Sequence, residues 1–316
     1  METLCRSAAH RLASIVGKLS EGCECALLSG GIDTTFVLAS NPAKREVLAV
    51  TVDIGGPDAH YASKAASVLG VREHVIYRPS RGELARAVDW VVRSFATIDP
   101  IEVAASAAHY LAASKALSEG CNCLLSGDGG DEMFLGYSFL LTLEEEGLRR
   151  WQARMAQHAW LPTVEVGRLL GLEVKAPLYS PEAIGMALSL PIYCMIGRGF
   201  GKEILRTYLE EAGLAEIAWR QKTPVTEGSG VLEALKDLAQ DPISCGEPAA
   251  RWLDFKPPSR LHAWLAWRLE AQGIEPPPKA PVAGCPVCGR PLARGHCRFC
   301  GAYVSEGGVL MHYGGG

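Results

Sequence analysis

The sequence has no long apolar run and no excess of charge of one sign. No window approaches the roughly 18 uninterrupted apolar residues of a membrane-spanning helix. Lysine and arginine number 31 against 35 acidic residues, so the chain is not a polycation of the kind that binds nucleic acid through charge alone. The first turns carry Glu2, Arg6 and Arg11, unlike a signal peptide. We therefore expect a cytoplasmic protein without a membrane partner.

Short apolar runs alternate with helical patterns over the first half of the chain. The 316 residues are 48% apolar, which is enough for packed cores in about two domains. Predicted strands at 25–29, 46–53, 74–77 and 121–126 are separated by amphipathic helices. This alternation predicts an α/β fold with a doubly wound parallel sheet. Beyond residue 137 the pattern is mainly helical.

The first glycine-rich turn, Ser29-Gly-Gly-Ile-Asp-Thr34, follows a predicted strand and opens a helix. Backbone amides of such a turn close on an anion, and the helix N-terminus favours negative charge. The chain lacks the G-x-x-x-x-G-K-[ST] spacing of ordinary phosphate-binding loops. Asp33 would repel phosphate unless Mg²⁺ lay between them. The alternative is a tight turn in which Asp33 only caps the helix.

The second glycine-rich turn, Ser126-Gly-Asp-Gly-Gly-Asp-Glu132, ends another strand of the same predicted sheet. Carboxyl ends of parallel strands share one edge, where ligands bind. We expect Asp131 to share the metal with Asp33, and Asp128 to hold or deprotonate an acceptor. The alternative is a hydrated acidic turn without a ligand. That alternative would account for either glycine-rich turn alone, but it accounts less well for the presence of both.

Together these turns and three later stretches resemble the asparagine synthetase family. The stretches are Gly171–Leu178, Lys202–Arg206 and Trp219–Gly230, and the resemblance covers about 22–235. It implies an N-type ATP pyrophosphatase domain with an adenine nucleotide α-hydrolase-like fold. It also implies a reaction in which a carboxylate attacks the α-phosphate of ATP, pyrophosphate leaves and ammonia displaces AMP.

The resemblance also implies roles for particular residues. Those implied to hold pyrophosphate are Ser29, Gly30, Gly31, Asp33 and Thr34. Those implied to line adenosine are Val52, Ser126 and Gly127. Asp33 and Asp131 would hold Mg²⁺, and Lys222 would neutralise charge at the α-phosphate. Glu173 matches a glutamate that some relatives use near the acceptor, although a structural carboxylate is an equal alternative.

Departures from the family concern the acceptor and the nitrogen source. Residue 2 is Glu rather than a nucleophilic Cys, and one helix precedes the synthetase motifs, so we expect no glutaminase half. Ammonia would come from solution or from a separate glutaminase subunit. Lys175 and Ser180 stand where the family usually has Arg and Asp. A small carboxylic acid is the expected acceptor, but the departures weaken the case for aspartate.

Two pairs of cysteines near the C-terminus have the spacing of a zinc ribbon. They are Cys285-x2-Cys288 and Cys297-x2-Cys300, each followed by glycine. A module of this size needs a metal to fold, and four thiolates suit Zn²⁺. Two disulfides are the less favoured alternative, and His296 is interpreted as a bystander. The proline-rich segment at 275–281 predicts a tethered ribbon.

The remaining cysteines include Cys23-x-Cys25 and Cys121-x-Cys123 on two strands that should be neighbours. Because side chains alternate along a strand, each pair should share a sheet face, near the amino ends of the strands. Small buried side chains are the favoured interpretation, ahead of cross-strand disulfides or a metal cluster. Cys5, Cys194 and Cys245 have no evident partner in the sequence.

The sequence therefore favours an ATP-dependent amide-forming ligase that uses ATP, Mg²⁺ and Zn²⁺. The alternative is a tRNA-modifying enzyme that adenylates a base carbonyl and contacts RNA with its ribbon. The predicted segments are an N-terminal helix at 1–20, the pyrophosphatase domain at 21–240, a helix and linker at 241–281, the ribbon at 282–304 and a flexible tail at 305–316.

Overall fold

The computed structural model describes residues 2–240, 253–304 and 308–313. Its two compact units are discontinuous in sequence. The first comprises Met1–Asp53, Pro57–Tyr77 and Ala112–Pro224, and the second Ile54–Gly56, Arg78–Leu111 and Val225–Gly316. Cys245 and part of the predicted tail lie outside the described residues, and the predicted segment boundaries stay predictions.

A five-stranded parallel sheet in the order β3-β2-β1-β4-β5 forms the centre of the first unit. Its strands are β1 Cys25–Leu27, β2 Leu48–Val52, β3 Glu73–Tyr77, β4 Cys123–Leu125 and β5 Glu173–Lys175. Ala26 lies opposite Ala49 on one side and Leu125 on the other. The predicted α/β fold is confirmed, and the strand order reverses between β1 and β4. Ligand sites of doubly wound sheets form at such a reversal.

Helices and short strands account for most of the remaining chain. The helices are α1 Glu2–Ser20, α2 Ile32–Ser40, α3 Asp58–Leu69, α4 Arg81–Phe95, α5 Pro100–Ser118, α6 Gly130–Met133, α7 Glu145–His158, α8 Pro162–Leu170, α9 Pro181–Ser189, α10 Glu203–Glu211, α11 Ala215–Ala218, α12 Val225–Gly228, α13 Val231–Gln240 and α14 Arg260–Ala271. The short strands are β6 Ile196–Gly197, β7 Phe200–Gly201, β8 Tyr303–Val304 and β9 Leu310–Met311. The first unit is mainly helical after β4, as predicted.

Local chemistry explains why these elements form. All five residues of β2 are buried, which is typical of a parallel strand covered on both faces. Helix α3 ends at Leu69, and the positive φ of 64° at Gly70 forms a left-handed cap. Helix α4 begins with a capping box, because Ser80 accepts from the Glu83 amide and Glu83 accepts from the Ser80 amide.

Three disulfides connect parts of the first unit. They are Cys5–Cys194, Cys23–Cys123 and Cys25–Cys121. The favoured interpretation of the C-x-C cysteines as small unpaired side chains is therefore wrong, although all four are buried. Cys5 and Cys194, which had no evident partner in the sequence, bond to each other across a separation of 189 residues. Such bonding depends on the folded arrangement, which spacing does not reveal.

The prediction that each C-x-C pair shares a sheet face is also wrong. In the parallel register Cys25 lies opposite Leu124, whereas Ala26 lies opposite Leu125. Cys123 alternates with Leu124, so Cys123 and Cys25 project from opposite faces. Cys23 precedes β1 and Cys121 precedes β4, so strand alternation does not fix the side of either residue. Cys23 can therefore bond to Cys123, and Cys121 to Cys25. The two bonds therefore tie neighbouring strands at their amino ends, on different faces.

The second unit combines helices with the cysteine module. Helix α14 buries Leu261, Trp264, Leu265 and Leu269, which recur at helical spacing. Its Arg268 forms an ion pair with Asp89 of α4. No helix of the described residues is long and apolar enough to cross a membrane.

The ribbon is packed against residues of its own unit, which is not the unit that contains the five-stranded sheet. Ile98 donates its amide to the Phe299 carbonyl at 2.7 Å, and the Thr97 hydroxyl donates to the Arg298 carbonyl at 2.7 Å. His262 of α14 lies 3.1 Å from the Cys300 carbonyl. A proline-rich segment indicates a stiff connection, but a stiff connection still allows the module at its far end to dock.

Reduction should destabilise the first unit. Each disulfide closes a loop of about 100 residues or more, so loop-closure entropy predicts a loss of about 4 kcal/mol per bond in the free energy of unfolding. Thermal melting with and without a phosphine reductant checks this. The double variant Cys5→Ser/Cys194→Ser should melt earlier and respond less to the reductant. Reaction of all 11 cysteines with a thiol reagent in unreduced, denatured protein would contradict the three bonds.

Candidate nucleotide site and zinc site

The first predicted turn connects β1 to α2 and is held by its own side chains. The Gly31 amide donates to Ser29 Oγ at 3.2 Å, and the Ser29 amide donates to Thr34 Oγ1 at 3.2 Å. Helix α2 begins at Ile32 with Gly31 as its N-cap residue, and no side chain caps it. The alternative in which Asp33 caps this helix is therefore wrong. Asp33 stands in the first turn instead.

The second predicted turn connects β4 to α6 and lies directly against the first. A Cβ at Gly127 would lie 2.8 Å from the Thr34 amide, and one at Gly130 would overlap the Asp33 carboxylate. Glycine is therefore required at both positions for the turns to meet. The sequence predicted this convergence from the shared edge of parallel strands, and the structure places the turns together.

Asp33 and Asp131 meet two lysines in one ionic cluster. Lys202 Nζ lies 2.5 Å from Asp33 Oδ2 and 2.7 Å from Asp131 Oδ1. Lys222 Nζ lies 2.5 Å from the same Asp131 oxygen. The predicted metal ligands and the predicted phosphate-neutralising lysine are thus within contact of one another. Lys202 belongs to a stretch that resembles the family, but sequence reasoning gave it no role.

Burial and charge shift the ionisation of the cluster in opposite directions. Burial raises the pKa of Asp33, and Lys202 only partly offsets it. Burial also opposes ionisation of Asp131, but Lys202 and Lys222 outweigh it and hold the pKa of Asp131 below its usual value. Burial and the nearby charge of Lys202 lower the pKa of Lys222. The protonation states of these side chains therefore depend on the charges around them, and a bound ion or phosphate would change them.

The acidic pair has the chemistry that Mg²⁺ requires. Among the described residues, Asp33 Oδ1 has no hydrogen-bond partner although it is fully buried. A buried carboxylate oxygen without a partner is costly, and a hard cation satisfies it. Asp33 and Asp131 thus fit a magnesium ion, which would shield them from the phosphates of a nucleotide. That assignment stays a prediction.

Two arginines position the turn and the segment that carries Lys222. Arg220 donates to the Gly30 carbonyl at 2.9 Å, pairs with Asp58 at 3.1 Å and stacks on Tyr61. Arg206 donates to the Ala218 carbonyl at 2.5 Å. Both arginines are nearly fully buried. Sequence reasoning missed their roles, because their partners are distant in the chain.

Lys202 itself is held in an unusual backbone conformation. Its φ is 62°, in the left-handed region that a non-glycine residue rarely adopts. Its amide donates to the Phe134 carbonyl at 3.0 Å, which fixes it beside the acidic turn. A Cβ at Gly136 would overlap both Lys202 and Asp131, so glycine there leaves room for the ion pair.

The remaining predicted residues are placed differently from one another. Val52 is the buried last residue of β2, and Ser126 and Gly127 follow β4, so all three lie at the edge that carries the turns. Asp128 accepts from the Thr163 hydroxyl at 2.9 Å and from the Thr163 amide at 3.1 Å. Its carboxylate thus secures the start of α8, a structural task that competes with the predicted one.

Glu173 is not brought to the turns by the described contacts. It is exposed at the first position of β5, opposite Cys123 at the start of β4. The turns follow the other ends of their strands. This placement favours the structural alternative for Glu173, and a role near the acceptor stays an untested prediction.

The four ribbon cysteines form a group that suits a tetrahedral metal. Their sulfur atoms all lie within 4.8 Å of one another and are buried. Cys285 Sγ lies 3.7 Å from Cys300 Sγ, and Cys288 Sγ lies 3.5 Å from Cys297 Sγ. Four thiolates at about 2.3 Å from Zn²⁺ place their sulfur atoms about 3.8 Å apart. The residues fit Zn²⁺, whose contribution would be to fold the ribbon.

Comparison with known proteins supports the same assignment of the sheet domain. A family model for asparagine synthase matches residues 20–168. Asparagine synthetase B [glutamine-hydrolyzing] of Escherichia coli (strain K12) is 29% identical over 254 residues, which cover 69% of this chain and 44% of that protein. Asparagine synthetase [glutamine-hydrolyzing] 1 of Saccharomyces cerevisiae is 27% identical over 247 residues, which cover 68% and 41%.

Residues 20–168 are thus similar to the asparagine synthase family, and they contain four strands of the sheet and both glycine-rich turns. The resemblance to the asparagine synthetase family is thereby confirmed. The chain spans less than half the length of these two relatives. Their activities as whole proteins therefore do not transfer to this chain with the domain.

Removing either predicted magnesium ligand should impair use of the nucleotide. Asp33→Asn and Asp131→Asn keep the side-chain size but remove a charge. Each should lower magnesium-dependent release of pyrophosphate from ATP about a hundredfold, the order of effect expected when one preorganised contact to developing charge is lost. Asp89→Asn, which breaks an ion pair outside the cluster, is the matched control. Wild-type rates in both site variants would refute the metal assignment.

Zinc should depend on the four thiolates and not on the neighbouring histidine. Cys285→Ser or Cys300→Ser should remove one Zn²⁺ per chain and lower the melting temperature, because the ribbon carries hydrogen bonds to residues 97–98. His296→Gln should retain the metal, since His296 faces Asp99 at 3.8 Å. Metal analysis of the purified variants checks both. Loss of zinc from the histidine variant would replace the four-thiolate assignment.

Proposed function

We propose that this chain is an ATP-dependent ligase of asparagine synthetase type, which adenylates a carboxylate and forms an amide. The cluster of Asp33, Asp131, Lys202 and Lys222 beside two glycine-rich turns carries the proposal. Two acids and two lysines at the reversal point of a doubly wound sheet suit a nucleotide with its metal. The asparagine synthase domain supplies the reaction class.

In the first step a carboxylate oxygen of the acceptor attacks the α-phosphorus of ATP. The bond between that phosphorus and the bridging oxygen of pyrophosphate breaks, and pyrophosphate leaves with the electron pair. The turn at Ser29–Thr34 precedes the N-terminal end of α2, where the helix field would favour the departing anion. Mg²⁺, when bound by Asp33 and Asp131, would neutralise charge on the phosphates.

The lysines complete the electrostatics of this step. Lys222 has a side chain that is 30% exposed, so it can turn from Asp131 toward a bound phosphate. Lys202 is buried, and its two carboxylate neighbours raise its pKa although burial opposes this. It therefore stays charged and holds the acids in place. A fixed cation beside developing charge lowers a barrier more than a mobile one does.

In the second step ammonia adds to the acyl carbon. The bond from that carbon to the phosphate oxygen breaks, AMP leaves, and the nitrogen loses a proton. Ammonia as the donor is a prediction from the sequence, as is its supply by a separate glutaminase. Ammonium and glutamine are therefore tested separately as nitrogen donors in the experiment described below.

The acceptor we propose is a small carboxylic acid, and the structure gives reasons to look beyond aspartate. Lys175 donates to the Glu21 carbonyl at 2.9 Å. Ser180 caps α9 by accepting from the Ala183 amide at 3.1 Å. Both positions, where the family usually has Arg and Asp, thus carry structural contacts.

The alternative, an RNA-modifying enzyme, rests on the ribbon. Several of its cations are already engaged, which leaves few charges for phosphate contacts. Arg290 is buried and donates to the Pro277 carbonyl at 3.0 Å, and Arg298 pairs with Glu102 at 3.4 Å. Lys279 pairs with Asp254 at 2.9 Å. The ribbon is better suited to holding its own unit together.

A cytoplasmic location stays a prediction, and the disulfides bear on it. Three such bonds are typical of oxidising compartments and of intracellular proteins from hyperthermophiles. A reducing cytoplasm keeps most cysteine pairs open. The redox state of the isolated protein therefore informs on its compartment.

The decisive experiment measures pyrophosphate release from ATP with a panel of carboxylic acids, aspartate included. Each acid is combined with ammonium or with glutamine, and the amide and AMP are identified by mass spectrometry. We expect one acid to stimulate release at least tenfold above background, with amide formed from ammonium. Asp33→Asn is the control for contaminating ligases.

Two results would overturn the proposal. Pyrophosphate release that requires tRNA, together with tRNA binding that weakens steeply with salt, would favour the RNA-modifying alternative. Release of pyrophosphate with no acid, at a rate shared by Asp33→Asn, would show that the cluster does not act on ATP.

A further inference from the structure

Lys222 lies in a segment without regular secondary structure. Residues 221–224 form neither helix nor strand, so no regular backbone hydrogen bonds fix them. The amine of Lys222 nevertheless has a defined place, 2.5 Å from Asp131 Oδ1. A long side chain loses rotational freedom when it is held in this way. A second contact besides the ion pair would reduce this freedom further.

The face of Tyr137 supplies the second contact. Lys222 Nζ lies 4.1 Å from the centroid of the Tyr137 ring. An ammonium over an aromatic face is attracted by the negative charge of the π-system. The ring and Asp131 therefore bracket the amine from two directions.

Tyr137 is itself fixed on several sides. Its ring stacks on Phe139 with centroids 5.6 Å apart and meets Trp151 edge-on at 5.8 Å. Its hydroxyl donates a hydrogen bond to Glu132, the residue after Asp131. The ring is thus tied to the acidic turn that contains the ion-pair partner of Lys222. A rigid ring makes a better support for a flexible lysine than a mobile one does.

We propose that Tyr137 is a positioning residue for Lys222, whose aromatic face holds the ammonium beside the acidic turn in readiness for the nucleotide phosphates. The positioning itself stands on this geometry alone. Its consequence for catalysis rests on the proposed function. Tyr137 is not required to touch the substrate, and its hydroxyl serves to anchor the ring through Glu132.

The test separates the ring from the hydroxyl. Tyr137→Phe keeps the aromatic face, whereas Tyr137→Met fills similar space with a flexible side chain and no ring. Tyr137→Leu is a second ringless variant, in case the first does not fold. Tyr208→Leu removes a ring that packs on Phe36 and carries no lysine, and so controls for general loss of packing. Circular dichroism melting confirms that each variant is folded.

The first readout does not require activity. The labelling rate of Lys222 with an amine-reactive ester is measured by peptide mass spectrometry, relative to the exposed Lys18. Without the ring, Lys222 should label about threefold to tenfold faster, because its amine samples open positions. Tyr137→Phe and Tyr208→Leu should label at the wild-type rate. Equal labelling in all variants would overturn the proposal.

The second readout is kinetic. The ringless variants should lower kcat about tenfold and change KM for ATP less, because a misplaced lysine is lost mainly from the transition state. Tyr137→Phe should restore most of kcat. A phenylalanine variant as impaired as the methionine variant would assign the effect to the hydroxyl and refute a role for the ring.

Failure of the two proposals can be told apart. If wild-type protein releases no pyrophosphate with any acid, the proposed function fails, while the labelling comparison still decides the positioning role. If wild-type protein is active and the ringless variants match it in labelling and in kcat, the positioning role fails alone.

Discussion

The repulsion between two partly buried carboxylates is the constraint on which this site depends. Asp33 and Asp131 meet where the strand order reverses, because their turns follow β1 and β4. Charges of one sign cannot share a dry site unless opposite charge is supplied. Lys202 supplies it at 2.5 and 2.7 Å from the two acids. The left-handed backbone of Lys202 and the glycine at 136 both accompany the close approach of that ammonium.

Two arginines hold in place the segments that carry the charged side chains of this cluster. Arg220, which lies two residues before Lys222 in the chain, donates to the carbonyl of Gly30 in the first turn. Arg206 donates to the carbonyl of Ala218, and Ala218 lies two residues before Arg220. The mainly helical part of the unit after β4 thus contributes Lys202 and Lys222. The turns at the sheet edge contribute Asp33 and Asp131. This division explains why the site needs residues from the two halves of the unit.

Much of this arrangement could be predicted from sequence, and the exceptions share a physical cause. The two turns were predictable because strands of a parallel sheet end at one edge. Roles for Lys202, Arg220 and Tyr137 were not, because their partners lie far away in the chain and periodicity carries no information on such contacts. The cysteines failed for a local reason: β1 begins at Cys25, so alternation says nothing about Cys23. For Asp128, the carboxylate was evident, but its partner at the start of α8 was not.

The pairing of the C-x-C cysteines has a consequence for how the chain matures. The two bonds join residues 100 and 96 positions apart, and the exchanged pairing would close loops of intermediate length. Loop entropy depends only logarithmically on length, so it hardly distinguishes the native isomer from the exchanged one. Only the assembled strands, which send the two bonds to opposite faces, discriminate between them. Oxidation that preceded sheet assembly would therefore yield scrambled chains, and the correct order is folding first and bond formation second.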